Sequence, residues 1–199
     1  SFIPAMVLSV ALALDRRALA LTLRWFGVFA LVHVVAVAVL MALPLETWKG
    51  RRAYQNLVLL WDTQAVLKAL PPGAPAYESY SMAAVMSFHA KTTVPVFGPG
   101  SSHARQDDID TDWRAWQGRD LAILRRDPPV LAGYQPYFRE VKAHKLEVRG
   151  ATFHAVLGRG FDYAAYREGV LKPVRERWYR IPAALPVGRC YYFERYGFQ

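Results

Sequence analysis

The densest group of carboxylates in the chain is RQDDIDTDWRAWQGRD, residues 105–120, which sets Asp107, Asp108, Asp110, Asp112 and Asp120 in an otherwise strongly basic sequence. Alternate carboxylates at 108, 110 and 112 could converge on one hard cation, as a calcium loop does. That loop needs Gly at its sixth position and an acidic residue at its twelfth, and here Trp113 and Arg119 stand there. The calcium reading fails. His89, His103, His144 and His154 have no metal-ligand spacing, so neither zinc nor any other metal or cofactor is expected.

Asp108-Ile109-Asp110 and Asp110-Thr111-Asp112 also match the three-residue pattern by which some enzymes hold a nucleotide sugar through a metal. Such a short pattern carries weight only in a nucleotide-binding context. Local chemistry supplies a plainer use: Asp110 caps a short helix, Asp112 sits in its first turn, where the helix dipole favours negative charge, and Gly118 ends it. Arg105, Gln106, Asp107 and Asp108 precede that helix and need another explanation.

The elements that position these residues divide at about residue 45. With 53% apolar residues and 14% aromatics, the chain is not a disordered one. Residues 2–14, FIPAMVLSVALAL, carry no charge, and residues 25–43, WFGVFALVHVVAVAVLMAL, have only His33 as an ionisable group. A stretch of about 20 such residues crosses a hydrocarbon core of about 30 Å. The pattern predicts a membrane span over Ala18 to Leu43, with Arg24 snorkelling at one end and Trp25 and Trp48 near the interfaces. His33 then lies near mid-membrane, either facing a functional cavity or bonded in its neutral form to a neighbouring helix.

Residues 2–14 are too short to span alone, and they lack the positive start and cleavage site of a signal peptide. They read as the end of an earlier membrane helix, with Asp15, Arg16 and Arg17 as the hairpin loop. On this reading the sequence is the carboxyl-terminal part of a polytopic membrane protein. The short basic loop stays cytoplasmic, which puts residues from about 46 onward outside. A lone Cys190 forms no internal disulfide and leaves the compartment open.

From Glu46 onward, 22 Lys and Arg face 15 Asp and Glu, and after Phe138 twelve basic residues face six acidic ones. Beside a bilayer, such a surface suits lipid headgroups or a lipid phosphate. Nucleic acid would suit the charge too, but no recognition motif accompanies it.

Apolar spacing predicts a helix over 50–70, stopped by Pro71-Pro72-Gly73. Further predictions are a strand over Ala76 to Tyr80, a helix over Ser81 to Ala90, and strands over Thr93 to Phe97 and Asp120 to Leu124. Lys145 to Arg149 and Ala151 to Leu157 read as an antiparallel pair turning near Gly150. Together they give residues 46–199 a small α/β domain with a mixed, largely parallel sheet. Parallel strands bind ligands beyond their carboxyl ends, which directs attention to the turns Glu78 to Ser81 and Gly98 to His103. Residues 159–180 mix aromatics with arginines, and Gly169 and Pro173 are expected to interrupt any long helix there.

These features resemble the carboxyl-terminal end of bacterial polytopic glycosyltransferases of the GT-C superfamily, related to protein O-mannosyltransferases and aminoarabinose transferases. The resemblance rests on the last membrane helix, RRAYQNLVLLWDTQAVLKAL, AYESYSMAAVMSFHA, TVPVFG, the turn into Arg105-Gln106 with nearby aspartate and Trp113, and GRDLAIL. It implies transfer of a sugar from a polyprenyl-phosphate carrier to an acceptor outside a bacterial inner (cytoplasmic) membrane, with the soluble domain on the periplasmic or outer side. The implied partners are the lipid-linked donor, membrane lipids and the rest of the polytopic chain. The essential carboxylate of such enzymes lies in an early outer loop, outside these residues. Arg105 and Gln106 would support phosphate or sugar contacts, and Asp107 or Asp108 would meet a hydroxyl. The chain departs from the usual Arg-Gln-aromatic-Asp pattern at Asp107-Asp108. The alternative from another class is a membrane-tethered, non-enzymatic domain that binds glycan or protein in the cell envelope.

Overall fold

The computed structural model describes residues 8, 9, 12–99, 106–182, 184–186 and 188–198, and the chain divides into two compact units, Ser1–Thr47 and Trp48–Gln199. The earlier helix expected over 2–14 falls largely outside the described residues. Helix α1, Arg16–Ala42, runs for 27 residues. It begins two residues before the predicted span because Asp15 caps it, Oδ1 accepting from the Ala18 amide at 2.8 Å. Its mean hydropathy reaches 2.4, and no residue in it is buried. It is long and apolar enough to cross a membrane. Inside it, His33 donates from Nδ1 to the Phe29 carbonyl at 2.8 Å, a bond to the helix's own backbone one turn back.

In the second unit the helix expected over 50–70 is two helices, α2 (Tyr54–Trp61) and α3 (Thr63–Ala69). Asp62 breaks it: its backbone leaves the helical region, and its carboxylate caps α3 through the Ala65 amide at 3.3 Å. Arg149 holds the same carboxylate at 2.6 Å. Strand β1 is Ala74–Tyr77, and helix α4 is Tyr80–Ala90. The strand ends earlier than predicted because the chain turns at Glu78 and Ser79 to enter α4.

A full strand does not form over Thr93 to Phe97. One parallel bridge, Tyr77 with Val96, is all that joins it to β1, because Pro95 has no amide hydrogen to extend the ladder. The sheet has the order β1-β2-β4-β3, where β2 is Leu121–Arg125, β3 is Phe138–Val148 and β4 is Ala151–Phe161. Among these four strands β1 and β2 run parallel, while β2 with β4 and β3 with β4 are antiparallel. The sheet is therefore mixed but not largely parallel. The predicted hairpin covered only part of two 11-residue strands. The alternating charges of FREVKAHKLEV disguised β3, an edge strand whose lysines and glutamates guard it from pairing further. Arg149 and Gly150 close the hairpin with φ of 49° and 74°, the positive pair that a type I′ turn requires.

Pairing register sorts the core. Ala76, Ile123 and Val156 lie side by side on one face of the sheet, while Tyr77, Leu124 and Ala155 lie on the other. The first face meets an aromatic cluster centred on Phe97, whose ring lies 5.6 Å from those of Tyr134 and Phe138 and 5.0 Å from that of Tyr166. Helix α5, Gln106–Asp110, leads into the turn Trp113–Trp116. Asp112, not Asp110, caps that turn through the Arg114 amide, and Asp110 closes α5 instead.

Helix α6 (Tyr163–Tyr166), a π turn (Arg167–Leu171) and α7 (Lys172–Trp178) form one uninterrupted helical segment. Gly169 and Pro173 do not break it. The Lys172 amide reaches five residues back to the Arg167 carbonyl, and the widened turn makes room for the proline ring. Helix α8, Tyr191–Tyr196, completes the unit.

Candidate functional site

The parallel pair β1 and β2 delivers its last residues to one place. Glu78 follows β1 and Arg125 ends β2, and Arg125 Nε lies 3.0 Å from Glu78 Oε2 in ion-pair contact. Tyr134, carried in by the turn after Leu131, joins them: Arg125 Nη1 donates to its hydroxyl at 2.9 Å, and that hydroxyl donates to the Glu78 carboxylate in a short bond. The three groups form a closed triangle of one ion pair and two charge-assisted hydrogen bonds. Burial, and then the neighbouring Glu78 carboxylate, push the Tyr134 pKa well above the usual phenol value. Tyr134 thus stays a proton donor to Glu78 at physiological pH.

The triangle divides two recesses. One, of about 430 Å³, opens toward the amino end of α4 and is lined by Asn56, Tyr77, Ser79, Ser81, Arg126 and Asp127 as well as the ion pair. The other, of about 510 Å³, is more aromatic and lies among Phe97, Pro99, Tyr134, Tyr137 and Val170. Gly169 lets Tyr137 into that recess, since a Cβ there would come within 2.6 Å of the Tyr137 hydroxyl. The first recess offers donors and acceptors in balance, which fits a hydroxyl-rich or phosphorylated ligand better than an apolar one.

The predicted site residues are placed differently. Arg105 lies outside the described residues. Gln106 is exposed and donates from Nε2 to Asp110 Oδ1 at 2.9 Å. Asp107 and Asp108 turn inward, with 8% and 6% exposure. Asp107 accepts from the Val96 amide at 3.2 Å and from the Thr111 hydroxyl at 3.1 Å, while Asp108 accepts from the Tyr179 hydroxyl at 3.2 Å. These bonds tie α5 to the Val94–Phe97 segment and to the carboxyl-terminal helices. Among the described residues no group of His, Cys, Asp and Glu is arranged to hold a metal ion.

The strand-end rule singled out the Glu78 to Ser81 turn in the sequence, and the recess lies there. Arg125, Arg126 and Asp127 carried the same signal, since they follow the predicted strand Asp120 to Leu124. Tyr134 carried none, because its role depends on a contact 56 residues away in sequence. Comparison with protein-family models, with characterised proteins and with solved structures finds no match for this chain.

Proposed function

We propose that the chain supplies the last membrane span and the outer α/β domain of an integral-membrane glycosyltransferase that moves a sugar from a polyprenyl-phosphate donor to an extracytoplasmic acceptor. The carrying observation is the polar recess at the carboxyl ends of β1 and β2, where guanidinium, carboxylate and hydroxyl groups meet. Sugars and phosphates are recognised by that mixture of groups. Helix α1, apolar along its length and unburied, supports a lipid setting in which such a donor would be found. In this reading the domain binds and orients, while the catalytic carboxylate belongs to another part of the enzyme. Arg105 and Gln106 stay candidates for contact with the same substrate, and Asp107 and Asp108 hold their segment in place.

The test is transfer of labelled hexose from a polyprenyl-phosphate donor by membranes carrying the chain in its native reading frame. Arg126→Ala is expected to lower kcat/KM about tenfold or more without changing the amount of protein in the membrane. An unchanged rate would remove the recess from the mechanism. A second reading, a membrane-tethered glycan- or protein-binding domain, is favoured by the engagement of Glu78 with both Arg125 and Tyr134, which leaves it no free role as a base. Saturable glycan binding with no transfer in the same membranes would select it.

A further inference from the structure

The amino end of α4 opens into the recess beside Tyr77, whose hydroxyl lacks a hydrogen-bond partner. Helix α4 is 11 residues long, has no acidic residue in its first turn and receives no side-chain cap from Ser79. Its first amides therefore project a partial positive charge with no partner inside the helix. Independently, Tyr77 is only 3% exposed, and its hydroxyl is shut away with no hydrogen-bond partner. A buried hydroxyl of this kind is rare unless something else satisfies it. Three charged groups act electrostatically on it, Arg126, Glu78 and Asp127, and all three line the recess. Burial pushes the Tyr77 pKa up, which keeps its proton available for donation.

Acceptors are unevenly available. Glu78 is already held by Arg125 and Tyr134. Arg126 is exposed, and its one described side-chain bond is to Asn56 Oδ1 at 3.3 Å. Asp127 is exposed on the rim. An oxyanion would answer the helix amides, Tyr77 and Arg126 together, while Asp127 would accept a hydroxyl hydrogen from the same ligand.

We propose that this recess is a glycosyl-phosphate subsite, with the phosphate at the amino end of α4 between Tyr77 and Arg126 and a sugar hydroxyl on Asp127. The enclosed Tyr77 hydroxyl meets the phosphate only when a lining side chain moves, and this movement is assigned to Arg126, which is exposed at the recess. The subsite deepens the proposed function, resting on it for the lipid-borne source of the ligand and not for the binding itself. A soluble sugar phosphate and the headgroup of a lipid-linked sugar share this chemistry.

The experiment measures binding by the full chain in lipid nanodiscs, using glucose 1-phosphate in one arm and a polyprenyl-phosphate glucose embedded in the disc in the other. Tyr77→Phe and Arg126→Ala are each expected to weaken glucose 1-phosphate about tenfold. Asp127→Asn is expected to weaken glucose 1-phosphate while leaving inorganic phosphate unchanged. Tyr77→Phe removes one oxygen from a buried side chain, and its thermal melt shows that the variant is folded. Failure of glucose 1-phosphate to bind, or equal binding by wild type, Tyr77→Phe and Arg126→Ala, overturns the subsite. Binding of glucose 1-phosphate with those losses, but none of the lipid-linked sugar, upholds the subsite and counts against the transferase reading instead.

Discussion

Glu78 and Arg125 lie at neighbouring strand ends, Oε2 to Nε 3.0 Å, with side chains 34% and 21% exposed. A surface ion pair would contribute little. This one is partly sheltered and locked by the Tyr134 hydroxyl, which bonds both partners. Removing Glu78 leaves a guanidinium and a phenol short of their acceptor. Glu78→Ala is expected to destabilise the domain by about 1–3 kcal/mol. In a double-mutant cycle with Tyr134→Phe, the losses should fail to add by at least about 0.5 kcal/mol, measured by chemical denaturation. Simple additivity would mean that the triangle does not act as a unit.

Asp107 makes a separate structural prediction. Its two oxygens hold the Val96 amide and the Thr111 hydroxyl, and the side chain is nearly buried. Asp107→Ala should lower stability by about 1–3 kcal/mol, because the Val96 amide points away from β1, whose Tyr77 pairs with Pro95 and Phe97, and would lose its carboxylate acceptor. Hydrogen exchange at Val96 should accelerate in the variant. Exchange and stability both unchanged would return Asp107 to the role of a surface ligand group.

Gly158 is a packing position. On β4 it faces Phe138, and a Cβ there would fall 2.5 Å from Cδ1 of that ring. The ring cannot retreat, since it is stacked 5.6 Å from Phe97 and lies as close to Phe161. Gly158→Ala is expected to cost about 1–3 kcal/mol, with partial recovery on adding Phe138→Leu. The check is the denaturation midpoint of the single and double variants.

The buried phenols set the alkaline limit. Burial raises the pKa of Tyr134 and Tyr192 and brings that of Tyr196 to about 12. A phenol raised above its unfolded value of about 10 contributes stability that is complete below that pH and is lost as pH climbs toward the folded value. Unfolding free energy should therefore fall between about pH 10 and pH 12. Tyr196→Phe should make that fall shallower, while losing the bond to the Thr111 carbonyl at 2.7 Å. Stability flat to pH 12 would contradict the burial argument.

Local signals made α1, α4 and β2 legible within a few residues, because apolar spacing and the flanking turns agree there. Where two signals compete, the sequence misleads. The run through Trp61 and Thr63 keeps its helical spacing, yet Asp62 finds more by capping α3 and pairing with Arg149. Likewise TTVPVF reads as a strand by composition, while Pro95 limits it to one bridge. The parallel character of the sheet was overstated because half of the β3–β4 hairpin hides in a charged alternation.

The site divides in the same way. Glu78 and Ser81 could be found from the strand-end rule, whereas Tyr134 and the unpartnered hydroxyl of Tyr77 emerge only once pairing has been made. Asp107 and Asp108 looked available because charge in a loop usually faces water. Here Val96, Thr111 and Tyr179 draw them inward.

The central claim is that α1 lies in lipid and ties a sugar-phosphate-binding domain to a membrane. Its most direct test is density-gradient flotation of membranes carrying the chain after an alkaline carbonate wash. The account predicts that the chain floats with the lipid and enters solution only with detergent. Recovery of the washed chain as a soluble, monodisperse protein free of lipid would contradict it.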